Sequence, residues 1–195
     1  NLNWENGTFD NPLRNMTAQY LSKTKDILAN TVLSYEIIPD LVLKSNVGYT
    51  DTQHTESRTR PSTIFSPAFG YTSANSSLYL SNTQRNSWII EPQLNWEKKF
   101  AGGKLGVILG GTFQQQSTTR LFQSGSGFTS NSLIHTLSAA TTKQVLVSDE
   151  TLYKYQAFFG RINYNWQDRY IVNLTARRDG SSRFGPGNQF ATFGA

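Results

Sequence analysis

The side chains best suited to touching a ligand are aromatics set among hydroxyls and amides. Phe65, Phe69, Tyr71, Tyr79 and Trp88 lie among Ser, Thr and Asn, and Phe122 and Phe128 punctuate a second polar stretch. Aromatic faces beside amides and hydroxyls suit a glycan, whose rings offer apolar faces and many hydroxyls. The same rings suit packing of the polar stretches against each other or against a partner protein, and both readings stand. Catalytic chemistry finds no such support. His54 and His135 are far apart and lack the H-E-x-x-H spacing of a metal site. The Ser-Gly-Ser-Gly run at 124–127 lacks the G-x-S-x-G pattern and its strand-to-helix setting. Gly102-Gly103 precedes no helix that could cradle a phosphate, so it reads as a turn. Cysteine is absent, which excludes disulfides and thiolate metal sites. The chain is therefore expected not to be an enzyme, with no catalytic residue, cofactor or metal.

The formal net charge is +5, but the basic residues are dispersed: Lys23 and Lys25, Arg58 and Arg60, Lys98 and Lys99, Arg177, Arg178 and Arg183. No dense basic stripe emerges, so nucleic acid is not expected as a partner. Arg177-Arg178-Asp179-Gly180 invites an anion-binding reading. The stronger reading is structural, with Arg177 and Asp179 on one strand face, pairing with neighbouring strands, and Gly180 allowing the strand end to bend. Asn6, Asn15, Asn75 and Asn173 begin N-x-S/T sequons, which matter only in a eukaryotic secreted protein.

Of 195 residues, 37% are apolar and 16% charged, against about 45–50% and about 25% in ordinary globular domains. The 12 Phe, 9 Tyr and 4 Trp argue against disorder. No apolar run approaches the length of a membrane helix. A membrane β-barrel stays open, because its strands alternate and average out as polar.

Period-two alternation is the dominant signal along the chain. Ile27, Ala29, Thr31, Leu33, Tyr35 and Ile37 share one face, opposite Asn30, Ser34 and Glu36, with Leu28 and Val32 as exceptions. After a Pro39-Asp40 turn, Leu41, Leu43, Val47 and Tyr49 oppose Lys44, Asn46, Gly48 and Thr50. Trp88, Ile90, Leu94 and Trp96 oppose Glu91, Gln93, Asn95 and Glu97, with Pro92 demanding a bulge or an unpaired site. Beyond the turn at 101–104, Leu105, Val107, Leu109 and Phe113 oppose Gly106, Gly110, Thr112 and Gln114. Phe158, Gly160, Ile162, Tyr164 and Trp166 oppose Phe159, Arg161, Asn163 and Asn165. A two-residue Gln167-Asp168 turn then leads to Tyr170, Val172, Leu174 and Ala176, opposite Asn173, Thr175, Arg177 and Asp179. Loops are expected at about 1–24, 53–86 and 121–152. Leu13–Lys25 reads as a short helix or an early strand start, and Leu133–Ala140 as a short helix or a packed loop.

These runs make six to seven strands of roughly 10–16 residues, above the usual soluble length and long enough to cross a membrane at a tilt. Short turns alternate with long loops, the layout of an outer-membrane barrel with short periplasmic turns and long extracellular loops. Tyr35, Trp96, Tyr164, Trp166 and Tyr170 sit beside the short turns, where an interfacial girdle would lie. Glu36, Lys44, Glu91, Glu97, Arg161 and Arg177 fall on the inner faces, which favours a wide, hydrated or plugged lumen. The alternative is a soluble antiparallel sandwich or solenoid, with water on the polar face.

The last forty residues carry a specific resemblance. Tyr155–Trp166 reads YQAFFGRINYNW, Arg169–Phe184 reads RYIVNLTARRDGSSRF, and GPGNQFATFGA follows. This resembles the SusC/RagA family of TonB-dependent outer-membrane transporters of Bacteroidota, with its FGRxNYxxxDKY strand, RRDGSSRFG string and W-G-T-F strand. Here Phe190-Ala191-Thr192-Phe193 stands in place of W-G-T-F. Gly160, Arg161, Arg177, Arg178, Asp179, Gly180, Ser181, Ser182, Arg183 and Phe184 are the family-motif residues, with structural roles. Asn11-Pro12-Leu13, Tyr35–Tyr49 and Leu109–Gln116 extend the resemblance more loosely.

The resemblance implies a barrel of about 22 strands around a plug, of which residues 1–195 would supply one stretch. It implies a bacterial outer-membrane location in contact with lipid and a SusD-like surface lipoprotein seated over the barrel. It also implies coupling to the TonB system and import of a nutrient, either an oligosaccharide or a peptide. The chain runs from Asn1 to Ala195 without an initiator Met, signal peptide, TonB box, plug or closing strand. A segment of a larger protein is therefore expected, unable to transport alone. The competing functional expectation is a non-transporting, β-rich surface binding or adhesion protein.

Overall fold

The computed structural model of the chain describes residues 12–195. Of the loop expected at about 1–24, residues 1–11 and the sequon at Asn6 lie outside the described residues, and residues 20–24 belong to a strand instead. Seven strands make one sheet in the order β1-β2-β3-β4-β5-β6-β7, so every strand lies beside its neighbours in sequence. They are β1 (Tyr20–Ile38), β2 (Leu41–Arg60), β3 (Ser77–Phe100), β4 (Gly103–Ser126), β5 (Thr142–Trp166), β6 (Tyr170–Ser181) and β7 (Phe190–Gly194). Both β5–β6 and β6–β7 pair antiparallel. The helical elements among the described residues are short 3-10 turns.

The strands outrun the expected limits. Residues 53–60 continue β2, 77–86 belong to β3, 121–126 to β4 and 142–152 to β5. The irregular connections shrink to 61–76 and 127–141. The reason is chemical. In stretches such as Thr52–Arg60, both faces are polar, so no period-two contrast marks a backbone that is nonetheless fully paired. Leu13–Lys25 resolves into a 3-10 turn (Arg14–Thr17) and an early start of β1. Leu133–Ala140 is a packed loop with 3-10 turns at Asn131–Leu133 and Leu137–Ala139. β3 runs unbroken through Pro92.

The tight turns follow their residues. Ala101 and Gly102 both take positive φ (48° and 78°), the twist that suits a two-residue hairpin. Gln167 and Asp168 do the same at 52° each. Trp166 pairs with Tyr170, however, so that turn holds three residues rather than two. Arg169 N–H closes it on the Trp166 carbonyl at 3.0 Å.

Two compact units divide the chain. The first comprises Asn1–Lys25, Thr52–Gln84 and Thr118–Glu150. It holds the molecule's main apolar cluster, in which Leu78, Phe128, Ile134 and Ala140 are buried and Leu80, Leu137 and Ala139 pack around them. A polar clasp ties its two loops. Ser62 N–H donates to Ser76 Oγ (2.7 Å), Ser76 Oγ donates to Asn131 Oδ1, and Asn131 Nδ2 returns to Ser62 Oγ (3.1 Å).

The second unit comprises Asp26–Asp51, Arg85–Ser117 and Thr151–Ala195. It carries the alternating apolar stripes, and these are bare. Ile27, Leu33, Tyr35, Leu43, Leu109, Phe158, Ile162, Val172 and Leu174 are all exposed. Ala157 is its one buried apolar residue among the described residues. The β5–β6 register sets Ile162 opposite Leu174 and Tyr164 opposite Val172 on one face, and Arg161 opposite Thr175 and Asn163 opposite Asn173 on the other. Trp166 and Tyr170 stack at 5.7 Å, and the Tyr164 hydroxyl donates to the Phe100 and Ala101 carbonyls at 3.1 Å. Tyr164 is thus tied to the 101–102 turn, and Trp166 and Tyr170 stack across the 167–169 turn.

At Gly103 an added Cβ would stand 2.4 Å from the Asn165 carbonyl oxygen, a backbone atom with little room to move. Gly185 has nothing within 4 Å. Gly103→Ala should therefore destabilise by about 1–3 kcal/mol, and Gly185→Ala should stay within about 0.5 kcal/mol. Urea midpoints of the two variants in the complete gene product check this.

Candidate functional site

Two regions gather functional side chains, one in each unit. In the second unit, β6 carries the start of the RRDGSSRF string (177–184), and its Arg177 and Asp179 lie on the polar face shared with β5. Residues 177 and 179 share that face because strand side chains alternate. Arg177 Nε donates to Asp179 Oδ1 at 2.6 Å, and its Nη2 donates to the Tyr155 hydroxyl at 2.7 Å. The Tyr155 hydroxyl donates in turn to Asp179 Oδ1 at 3.1 Å. The Arg177 guanidinium also lies 5.7 Å from the Phe159 ring centre. Phe159 fills the space a side chain at Gly110 would need. Arg161 Nη2 and Asn163 Nδ2 both donate to Asn173 Oδ1, and Thr112 donates to Glu91 at 3.5 Å.

The rest of the string works on the other face and at the strand end. Gly160 lets Leu109 approach to 3.2 Å of its would-be Cβ. Arg178 lies 5.1 Å from the centre of the Phe190 ring, and that ring occupies the Cβ position of Gly180. Ser181 N–H donates to the Gln189 carbonyl, while Ser182 exchanges bonds with Lys154 through its N–H and Oγ. Arg183 covers the Tyr153 ring at 4.5 Å, and Phe184 is exposed, its N–H on the Ser181 carbonyl. The string therefore welds β6 to β5 on one side and β7 on the other.

The first unit holds most of the aromatics singled out as ligand contacts. Phe65 meets Tyr71 edge-on at 5.1 Å, Tyr71 stacks on Phe69 at 5.6 Å, and Arg60 lies 5.6 Å from the Phe65 ring centre. Phe69 and Tyr71 are 65% and 47% exposed, so this cluster offers ring surface to solvent. A Ser66 cap and a Thr72–Asn75 capping box hold the loop around it. Tyr79 and Phe122 stack at 6.2 Å, but as strand residues of β3 and β4 rather than in loops. Phe128 is 1% exposed and belongs to the apolar cluster, so the structure gives it packing and not ligand contact. Trp88 falls in the second unit, on β3, beside a cleft of about 410 Å³ that Phe113 and Phe190 also line.

Sequence reasoning missed the polar contacts of β1 and β2. His54 is a strand residue, with Nδ1 2.8 Å from Thr24 Oγ1 and Nε2 3.6 Å from Glu56. The Tyr20 hydroxyl donates to Glu56. That bond holds the Glu56 carboxyl below its usual range and raises the Tyr20 hydroxyl above its own. The contact is present above the ordinary carboxylate range and is lost as pH falls through the lowered value. Spacing held a usable signal, since 54, 56, 58 and 60 share one strand face.

No family model matches the chain. It is 29% identical over 188 residues to TonB-dependent receptor P3 of Formosa agariphila, covering 94% of this chain and 18% of that receptor. It is 28% identical over 185 residues to TonB-dependent receptor SusC of Bacteroides thetaiotaomicron, covering 88% of this chain and 16% of SusC. Its fold matches the solved RagAB peptide transporter with a TM-score of 0.81 at 21% identity, over 94% of this chain and 20% of that one. The chain thus spans less than a fifth of the curated relatives named here.

Asp179 is the shared acceptor of the motif cluster. Asp179→Ala should cost about 1–3 kcal/mol, because Arg177 and Tyr155 lose their common partner. Asp179→Asn, which keeps an acceptor, should cost less. Comparing the unfolding midpoints of both variants tests the order.

Proposed function

We propose that this SusC/RagA-like chain is one stretch of the wall of a bacterial outer-membrane β-barrel in a TonB-dependent nutrient importer. The barrel domain would take in residues 1–195. The short turns at 39–40, 101–102 and 167–169 would face the periplasm, and the loops at 61–76 and 127–141 the exterior. The cargo would be an oligosaccharide, received beneath a SusD-like lipoprotein and drawn inward by TonB acting on parts of the receptor outside this span. Similarity to SusC supports the lipoprotein partner, and the exposed Phe69–Tyr71 stack supports a sugar cargo.

The bare apolar face carries the reading. Leu174 is 58% exposed on the same face as Ile162, Val172 and Tyr164, and the unit has almost no apolar interior. An uncovered stripe of this extent aggregates in water, whereas a hydrocarbon bilayer accepts it. The opposite face, with Arg161, Asn163 and the Arg177–Asp179 pair, suits a hydrated lumen.

The Leu174 position separates the importer from the soluble surface protein. In a lipid-facing wall, Leu174→Arg costs about 2–4 kcal/mol of folded barrel, and Leu174→Phe costs under about 1 kcal/mol. Heat-modifiable gel migration of the complete gene product in outer-membrane fractions measures the folded share. If the Arg variant folds as well as the parent and the protein stays soluble without detergent, the wall reading is wrong and the surface binding protein takes its place.

A further inference from the structure

Beside the aromatic cluster of the first unit lies a cleft of about 340 Å³ whose described lining includes Arg14, Arg58 and Arg60 but no Asp or Glu. Tyr20, Ile64 and Phe65 supply its apolar walls. The backbone at its floor is fixed. Thr59 is 2% exposed, its N–H donates to the Gln19 carbonyl at 2.8 Å, and its Oγ1 accepts from Gln19 N–H at 3.0 Å. Strand alternation then sends the side chains on either side of Thr59, Arg58 and Arg60, to one face. Neither has a carboxylate partner among the described residues, and Arg60 rests on the Phe65 ring. The nearby acid, Glu56, is taken up by Tyr20 and His54.

We infer that this cleft binds the carboxylate or sulfate of an acidic oligosaccharide. Two guanidinium forks without a carboxylate partner among the described residues match the planar, bidentate geometry of an oxyanion. Phe65 leads directly from them to Tyr71 and the Phe69 stack, so an anionic group and an adjoining sugar ring find complementary surfaces side by side. The inference rests on the importer reading and narrows its cargo to acidic glycans.

The test uses the complete gene product purified from outer membranes. Binding is measured for a galacturonic acid tetrasaccharide, a sulfated galactose tetrasaccharide, a neutral galactose tetrasaccharide and a glutamate-rich hexapeptide. The expected result is tighter binding of an acidic sugar than of the neutral one, weakening with salt. Arg58→Gln with Arg60→Gln should reduce acidic-sugar affinity by roughly tenfold to a hundredfold and leave the neutral sugar unchanged. Arg58→Lys with Arg60→Lys, which keeps the charge but loses the fork, should fall between. Heat-modifiable migration confirms that each variant is folded. Equal binding of neutral and acidic sugars, or unchanged affinity in the Gln variant, overturns the inference and leaves the importer reading standing. A preference for the acidic peptide over every sugar overturns the assigned glycan. A parent protein that never inserts in the outer membrane overturns the importer reading, and the inference with it.

Discussion

Everything in this sheet depends on the absence of anything to cover its apolar face. A soluble sheet packs that face on a second layer. Here Ile162, Val172, Leu174 and their counterparts on β1, β2 and β4 have no such layer, and only Ala157 is buried among the apolar residues of their unit. The stability that burial normally supplies has to come from elsewhere. Backbone pairing offers part of it, since β2 to β6 each lie between their sequence neighbours and satisfy their polar groups there. The surroundings of the chain must provide the remainder, and that demand supports the membrane wall proposed above.

The polar face answers a different demand. Charges there cannot stand alone in a dry interior, and the structure joins them across strands. Arg177, Asp179 and Tyr155 share one set of bonds, and Arg161 meets Asn163 at Asn173. The same contacts fix the β5–β6 register, so a residue of the polar face both tolerates water and holds neighbouring strands in place. The small residues cooperate, since Gly110 admits Phe159 and Gly180 admits Phe190. Family-motif residues that look like an anion site in one dimension are joinery in three.

Much of this was legible in one dimension. Alternation from Ile27 to Ala176 marked the strands, because the two faces of the sheet carry opposite chemistry on adjacent residues. Where both faces carry polar residues the contrast vanishes, and Gln53–Arg60 reads as loop although it is strand. Phe128 shows a second limit. An aromatic in a polar stretch looks available, but Leu78, Ile134 and Ala140 close around it from distant positions. The Arg58–Arg60 pair was visible only as dispersed charge until Thr59 was seen tied to Gln19 and the two side chains fell to one face.

The connections also impose an order on assembly. β1–β2, β3–β4 and β5–β6 are joined by turns of two or three residues, whereas β2–β3 and β4–β5 are joined across 61–76 and 127–141. Closing a short, preshaped turn costs little chain entropy, and closing the longer gaps costs more. Residues 20–181 thus form three hairpins, with β7 added at the end, and zipping each hairpin from its turn costs less entropy than docking the hairpins edge to edge. The clasp of Ser62, Ser76 and Asn131 joins the two longer connections, so by the same entropy argument it belongs with docking rather than with the zipping of any one hairpin. Weakening it should quicken opening while leaving the first zipping steps untouched.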